Sequence, residues 1–166
     1  MGKYDKLLSP LAIAPGFTIK NRMFKAPQSS WLWNEDGTAE GSRAIDMYEN
    51  IAMGGAAGII VAAILWEPAG TGIYLMADDD KYIPGMLELN ERCHRYGTKM
   101  IGQLHHMGPS AWRAPEDTRL PIGASSLSED EIPTPPPFGS ATRGLSVEEI
   151  HEKQGKIIEA AYQPTV

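Results

Sequence analysis

The chain has a single cysteine, Cys93, so no internal disulfide can form and an oxidising compartment is neither required nor suggested. Its longest apolar run, Ala56 to Trp66, falls well short of the roughly 20 residues that a membrane-crossing helix needs. Residues 1–10 contain no apolar segment of the signal-peptide kind, and Lys6 stands where a myristoylation signal has Ser or Thr. Clusters of basic residues are also lacking. The net charge of −6 argues against the broad phosphate-binding surface that nucleic acid demands.

Metal-ligand spacing is absent as well. Adjacent strand residues point to opposite faces, so His105 and His106 are poorly placed to share one ion, and Cys93 and His94 fail similarly on a helix. The run Asp78-Asp79-Asp80 reads as a solvated loop. What remains is ordinary globular chemistry. The 166 residues are 42% hydrophobic and 22% charged, enough for one domain with a core, and a mildly acidic cytoplasmic protein with no nucleic-acid or membrane partner is expected.

Pro15-Gly16 between apolar residues predicts a turn joining two short strands, 11–14 and 17–19, because proline presets φ and glycine accepts a positive one. A short strand at 22–26 ends at Pro27. Ile45, Tyr48 and Ala52, with Met47 and Ile51 beside them, are spaced for a helix over 40–53 that Gly54-Gly55 stops. Residues 58–63 are apolar throughout, as a strand covered on both faces requires. A loop follows over about 65–83.

Pro84 suits the first turn of a helix running to Tyr96, with Met86, Leu89, Cys93 and Tyr96 inward and Gly97 as its stop. The next strand is 99–104. Residues 107–144, rich in Pro, Gly and Ser, read as a long excursion with little regular structure, and such loops are usually functional. Ser146 and Glu149 form a capping box that opens a last helix, with Val147, Ile150, Gln154, Ile157 or Ile158, and Ala161 on one side and Pro164 ending it. Strands alternating with helices imply a parallel sheet. An open doubly wound sheet and a (β/α)₈ barrel both satisfy that order.

An ordered series of short motifs separates the two. Leu8-Ser9-Pro10-Leu11, Lys20-Asn21-Arg22, Ala26-Pro27-Gln28-Ser29, Asp36-Gly37-Thr38, Tyr48, Gly54-Gly55, Gly58-Ile59-Ile60, Pro68-x-Gly70, Ile83-Pro84-Gly85, Gly97-Thr98-Lys99 and Gln103-Leu104-x-His106-x-Gly108 occur in sequence. Pro121-Ile122-Gly123-Ala124-Ser125-Ser126 and the helix start at Leu145-Ser146 continue it. Together they resemble the N-terminal half of the Old Yellow Enzyme/NADH:flavin oxidoreductase family, over residues 4 to about 161. By contrast, Ala26-Pro27-Gln28-Ser29 is not the Gly-x-Gly-x-x-Gly turn of a dinucleotide-binding domain.

The resemblance implies an α/β fold: the N-terminal part of a (β/α)₈ TIM barrel, with a short hairpin (8–20) and about three βα units (about 22–161) carrying the long loop 107–144. The chain is then one incomplete barrel domain, 1–166, that is not closed. The implied cofactor is FMN, with NAD(P)H as reductant. The implied reaction is ping-pong ene-reduction, in which the reduced flavin passes hydride to an activated alkene or enone.

Active sites of such barrels lie at the C-terminal strand ends. The resemblance places Ala26, Pro27, Gln28 and Ser29 there, with the Ser29 hydroxyl approaching the flavin. Ala63, at the end of the second barrel strand, leaves room for the ring, and Gln103 offers an amide to its pyrimidine edge. Trp31 and Trp66 are candidates to line a substrate pocket, although large aromatics more often simply pack. His106 matches a family histidine read as structural.

Two departures stand out: Pro109 replaces an expected Arg, and Ala62 a commonly acidic residue. The family's substrate-activating His pair and FMN phosphate site fall beyond Val166, so no catalytic residue is assigned. The chain is therefore expected to behave as a truncated part, binding FMN weakly and inactive alone. A different reading is a non-catalytic half-barrel, an interaction module completed by another chain or by self-association through exposed strand edges.

Overall fold

The computed structural model describes residues 2–68, 73–111, 119–131 and 141–162. Gly70, parts of the long loop (112–118 and 132–140) and Pro164 lie outside them. A short helix that the sequence pattern does not signal, α1 (Asp5–Leu8), precedes the hairpin of β1 (Leu11–Ala14) and β2 (Phe17–Ile19). The hairpin strands pair antiparallel, and Gly16 turns between them at φ +76°. β3 is only Phe24–Lys25, shorter than expected.

Lys20-Asn21-Arg22 ties this N-terminal part to the sheet. Arg22 Nη1 donates to the carbonyls of Lys6 (2.6 Å) and Ser9 (2.7 Å). Asn21 Nδ2 donates to the Gly55 carbonyl at 2.8 Å, and its Oδ1 accepts from the Met23 amide at 2.9 Å. Lys20 Nζ reaches the Tyr96 carbonyl at 2.5 Å. Three consecutive polar side chains thus satisfy backbone carbonyls in three separate segments, as partly buried backbone requires.

Helix α2 (Arg43–Met53) buries Ala44, Ile45, Tyr48 and Ala52, the expected face. Burying a side chain such as Ile45 contributes about 1.5–3 kcal/mol. β4 (Gly58–Leu65) is the central strand and extends two residues past its expected end; only Ile60 among its residues is not fully buried. β5 (Leu75–Met76) and a 3₁₀ turn at Asp80–Tyr82 occupy the span expected to be loop. Asp79 is exposed but caps that turn, its side chain accepting from the Lys81 amide at 2.9 Å.

Helix α3 (Ile83–His94) carries Pro in its first turn and buries Met86, Leu89 and Cys93. Tyr96 lies past the helix end and is exposed, contrary to expectation, because the chain leaves the helix before it to reach Gly97 at φ +68°. β6 (Lys99–His105) pairs in parallel with β4 along its length. The long loop holds a two-residue parallel pair, β7 (Ile122–Gly123) with β8 (Arg143–Gly144). Helix α4 (Val147–Tyr162) follows. Its capping box forms as expected: Ser146 Oγ accepts from the Glu149 amide at 3.2 Å, and Glu149 Oε2 from the Ser146 amide at 2.8 Å. The expected apolar face of α4 is mostly uncovered, since only Ala160 is buried while Val147, Ile150 and Ile158 are exposed.

β4 therefore has β6 along one edge, and β3 followed by β5 along the other. α2 and α3 pack on one face of this sheet, where Ile59, Val61, Ile64, Tyr48, Leu89 and Cys93 form the core. The opposite face is open at β6. Among the described residues the sheet does not close, and no helix is long and apolar enough to cross a membrane.

Candidate functional site

β3 pairs with the start of β4, Lys25 opposite Ile59, whereas β4 and β6 run on together to Leu65 opposite His105. After β3 the chain stays extended, and Ser29 bridges in parallel to Ala62. Across the other edge of β4 the register shifts: Val61 pairs with Gly102 and Ile64 with Leu104. Two residues, Ala62 and Ala63, thus stand opposite one, Gln103. Such a bulge redirects side chains and recurs beside active sites. The Ala62–Ala63 peptide bond is cis.

The outcome is one row across the sheet: Ser29 in the extended chain beyond β3, then Ala62-Ala63 of β4, then Gln103 of β6. Met100 and Leu104 pack against the helix-side core, so alternation puts Ile101, Gln103 and His105 on the open face, where all three are exposed. Ala62 and Ala63 are buried but outside that core. Ser29 is half-buried. Neither the Ser29 hydroxyl nor the Gln103 amide makes a side-chain hydrogen bond among the described residues, so both retain their donors and acceptors. Two uncommitted polar groups flanking two methyl groups suit a flat ring with polar edges.

Of the other expected residues, Ala26, Pro27 and Gln28 form the exposed stretch between β3 and Ser29, near the row but outside it. Lys25 turns away, its ammonium 5.2 Å from the Tyr48 ring in the helix-side core, where burial lowers its pKa. Trp31 has φ 57°, a left-handed conformation rare for a bulky residue and costing about 1–3 kcal/mol. Even so it is 52% exposed, with its ring 5.2 Å from that of Tyr74. A groove of about 590 Å³ beside it is lined by Leu32, Trp33, Asn34, Asp36 and Arg43. Nothing in the sequence signals Tyr74, because its segment shows no periodicity.

Trp66 does not line a pocket on this face. It is buried in the helix-side core and packs 5.2 Å from the His106 ring. His106 Nδ1 accepts from the Gly108 amide at 3.0 Å, and its Nε2 lies 3.7 Å from Glu67 Oε2. Glu67 Oε1 pairs with Lys153 of α4. His106 thus lies between the end of β4 and the turn after β6, with Glu67 and its Lys153 partner from α4 beside it.

Residues 6–164 match the NADH:flavin oxidoreductase / NADH oxidase family. An NADH oxidase of Thermoanaerobacter brockii is 35% identical over 147 residues, covering 86% of this chain and 21% of that protein. A probable NADH-dependent flavin oxidoreductase of Bacillus subtilis is 31% identical over 184 residues, covering 98% of this chain and 48% of that protein. The solved old yellow enzyme homologue of Zymomonas mobilis matches 95% of this chain and 44% of its own with a TM-score of 0.77, at 20% identity. That likeness is one of fold, and it identifies the open sheet as the N-terminal part of a (β/α)₈ barrel. The chain spans less than half the length of these relatives. On this match along nearly its whole length, the chain belongs to the NADH:flavin oxidoreductase / NADH oxidase family.

Proposed function

We propose that the row Ser29, Ala62-Ala63 and Gln103 is one side of an FMN bed in an NAD(P)H-dependent flavin oxidoreductase of the ene-reductase type. The observation that carries this reading is the register that sets Ser29, Ala62-Ala63 and Gln103 in line across the sheet, with neither polar side chain hydrogen-bonded among the described residues. Bound FMN would supply hydride exchange between NAD(P)H and an activated alkene or enone. The chain's own part is to hold and orient. Gln103 presents a donor and an acceptor to a polar ring edge, Ser29 donates from the extended segment after β3, and Ala62-Ala63 leave the floor flat. Trp31, backed by Tyr74, lines the substrate side of the groove.

The row holds only these two polar side chains and no cation. By themselves, then, the 166 residues bind FMN weakly and do not turn over. Titrating FMN into the chain by flavin fluorescence tests this, with Q103L and S29A alongside. Weak binding that both substitutions weaken further is expected; tight stoichiometric flavin with NADPH turnover would overturn it.

A second reading, a non-catalytic half-barrel completed by another chain, draws on the outer edge of β6, which pairs with no strand among the described residues. Exposed Ile101 beside it would be covered on association. Sedimentation separates the readings: a monodisperse monomer at all concentrations counts against this one.

A further inference from the structure

His106, Gly108 and Glu67 form a cluster that the flavin reading does not use. The Gly108 amide donates to His106 Nδ1 at 3.0 Å, so that nitrogen must carry a lone pair and the ring proton sits on Nε2. Nε2 faces Glu67 Oε2 across 3.7 Å, too far for a hydrogen bond. That oxygen is buried and has no hydrogen-bond partner among the described residues, whereas Oε1 is engaged by Lys153 and has Lys156 at 4.0 Å. One side of the carboxylate is therefore satisfied by α4, and the other points at the histidine unfilled.

A second proton on the ring cannot coexist with this arrangement. It would occupy Nδ1, turning the acceptor of the Gly108 amide into a donor facing a donor. The resulting cation would meanwhile be drawn onto Glu67 Oε2. Gly108 opens the 3₁₀ turn Gly108–Ser110 that carries the chain away from β6 and Gln103. We propose that His106 is a proton-operated latch: neutral, it holds this turn through the Gly108 amide; protonated, it releases the turn and closes on Glu67.

The charged surroundings set the direction of its titration. Burial lowers the proton affinity of His106 most, Glu67 opposes this, and Lys153 and the neighbouring His105 add to the lowering. Lys156, Asp78 and Glu159 line a small cavity together with Glu67 and Trp66. The folded pKa thus lies below the ordinary histidine value, and the neutral, turn-holding form prevails at neutral pH. Its contribution to stability is complete above the unfolded value of about 6.5 and is lost as pH falls through the folded one.

The test is an NMR titration of the full chain from pH 8 to pH 4.5, following the His106 ring and the Gly108 amide together. The Gly108 amide resonance is expected to shift with the same midpoint as the ring. H106N, whose Oδ1 can replace Nδ1 as acceptor without titrating, should abolish the Gly108 transition. E67Q should move the ring midpoint to lower pH, because the carboxylate that attracts the proton is gone. A Gly108 amide that stays unmoved while His106 titrates, or that shifts unchanged in H106N, would overturn the latch.

Discussion

A Cβ placed on Gly85 would lie 2.9 Å from the Ala39 Cβ and 2.5 Å from the Glu40 amide nitrogen, so the first turn of α3 touches the segment before α2. Glycine inside a helix costs about 0.5–1 kcal/mol relative to alanine. A clash with backbone costs about 1–3 kcal/mol. The clash wins, and Gly85→Ala is expected to lower stability by about 1–2 kcal/mol, read from urea unfolding. A more stable variant would show that this contact is not close in solution.

Arg92 of α3 binds two carboxylates of α2 and one of its own helix. Its Nε donates to Glu49 Oε2 at 2.8 Å, its Nη2 to Asp46 Oδ1 at 2.6 Å, and its Nη1 lies 3.4 Å from Glu88 Oε1. An isolated surface pair contributes at most about 1 kcal/mol, but a forked, three-carboxylate arrangement with a side chain only 25% exposed exceeds that. Arg92→Ala should cost about 1–2 kcal/mol, and 1 M salt should shrink the difference. Equal urea midpoints at low salt would refute the clasp.

Arg143 and the Ser146 amide hold the Glu149 carboxyl at a pKa of about 2, well below the usual range. A depressed carboxylate contributes stability that is full above its unfolded value and lost as pH falls through the folded one. The α4 N-terminus should therefore stay formed to about pH 4 and fray between there and pH 2. Side-chain NMR of Glu149 checks this, and Arg143→Ala should raise its midpoint toward the ordinary glutamate range.

Cys93 is fully buried, and burial pushes its thiol to about 11. Thiolate is the reactive form. The folded chain should not react with a thiol reagent at pH 8, while the unfolded chain should take up one equivalent. Rapid labelling of the folded protein would contradict the packing of α3.

Local chemistry made much of this fold legible. Pro15-Gly16, the capping box at Ser146 and Glu149, and the apolar stripe through Ile45, Tyr48 and Ala52 each act within a few residues, where sequence spacing fixes geometry. The two-residue β5 is too short to show a period, and Leu75 pairs only because β4 runs on to Leu65. On α4, periodicity marks a face through Ile150 and Ile158 but does not say whether anything covers it. Ser29 and Gln103 come from the family resemblance; their alignment across a bulge at Ala62-Ala63 is a matter of register that no spacing reveals. Glu67 and Lys153, 86 residues apart, meet only in three dimensions.

Gln103 is exposed and makes no side-chain hydrogen bond among the described residues, so Gln103→Leu should leave unfolding within about 0.5 kcal/mol of the parent. Any effect on flavin would then report binding rather than folding.

The row from Ser29 to Gln103 is proposed as the flavin bed. Amide chemical-shift mapping of the chain during FMN titration tests it most directly. Saturable shifts at Ser29, Ala62, Ala63 and Gln103, weakened in Gln103→Leu and absent from the outer surface of α2 and α3, are predicted. No shift at these four residues up to millimolar FMN, or shifts confined to another face, would show that flavin does not bind there.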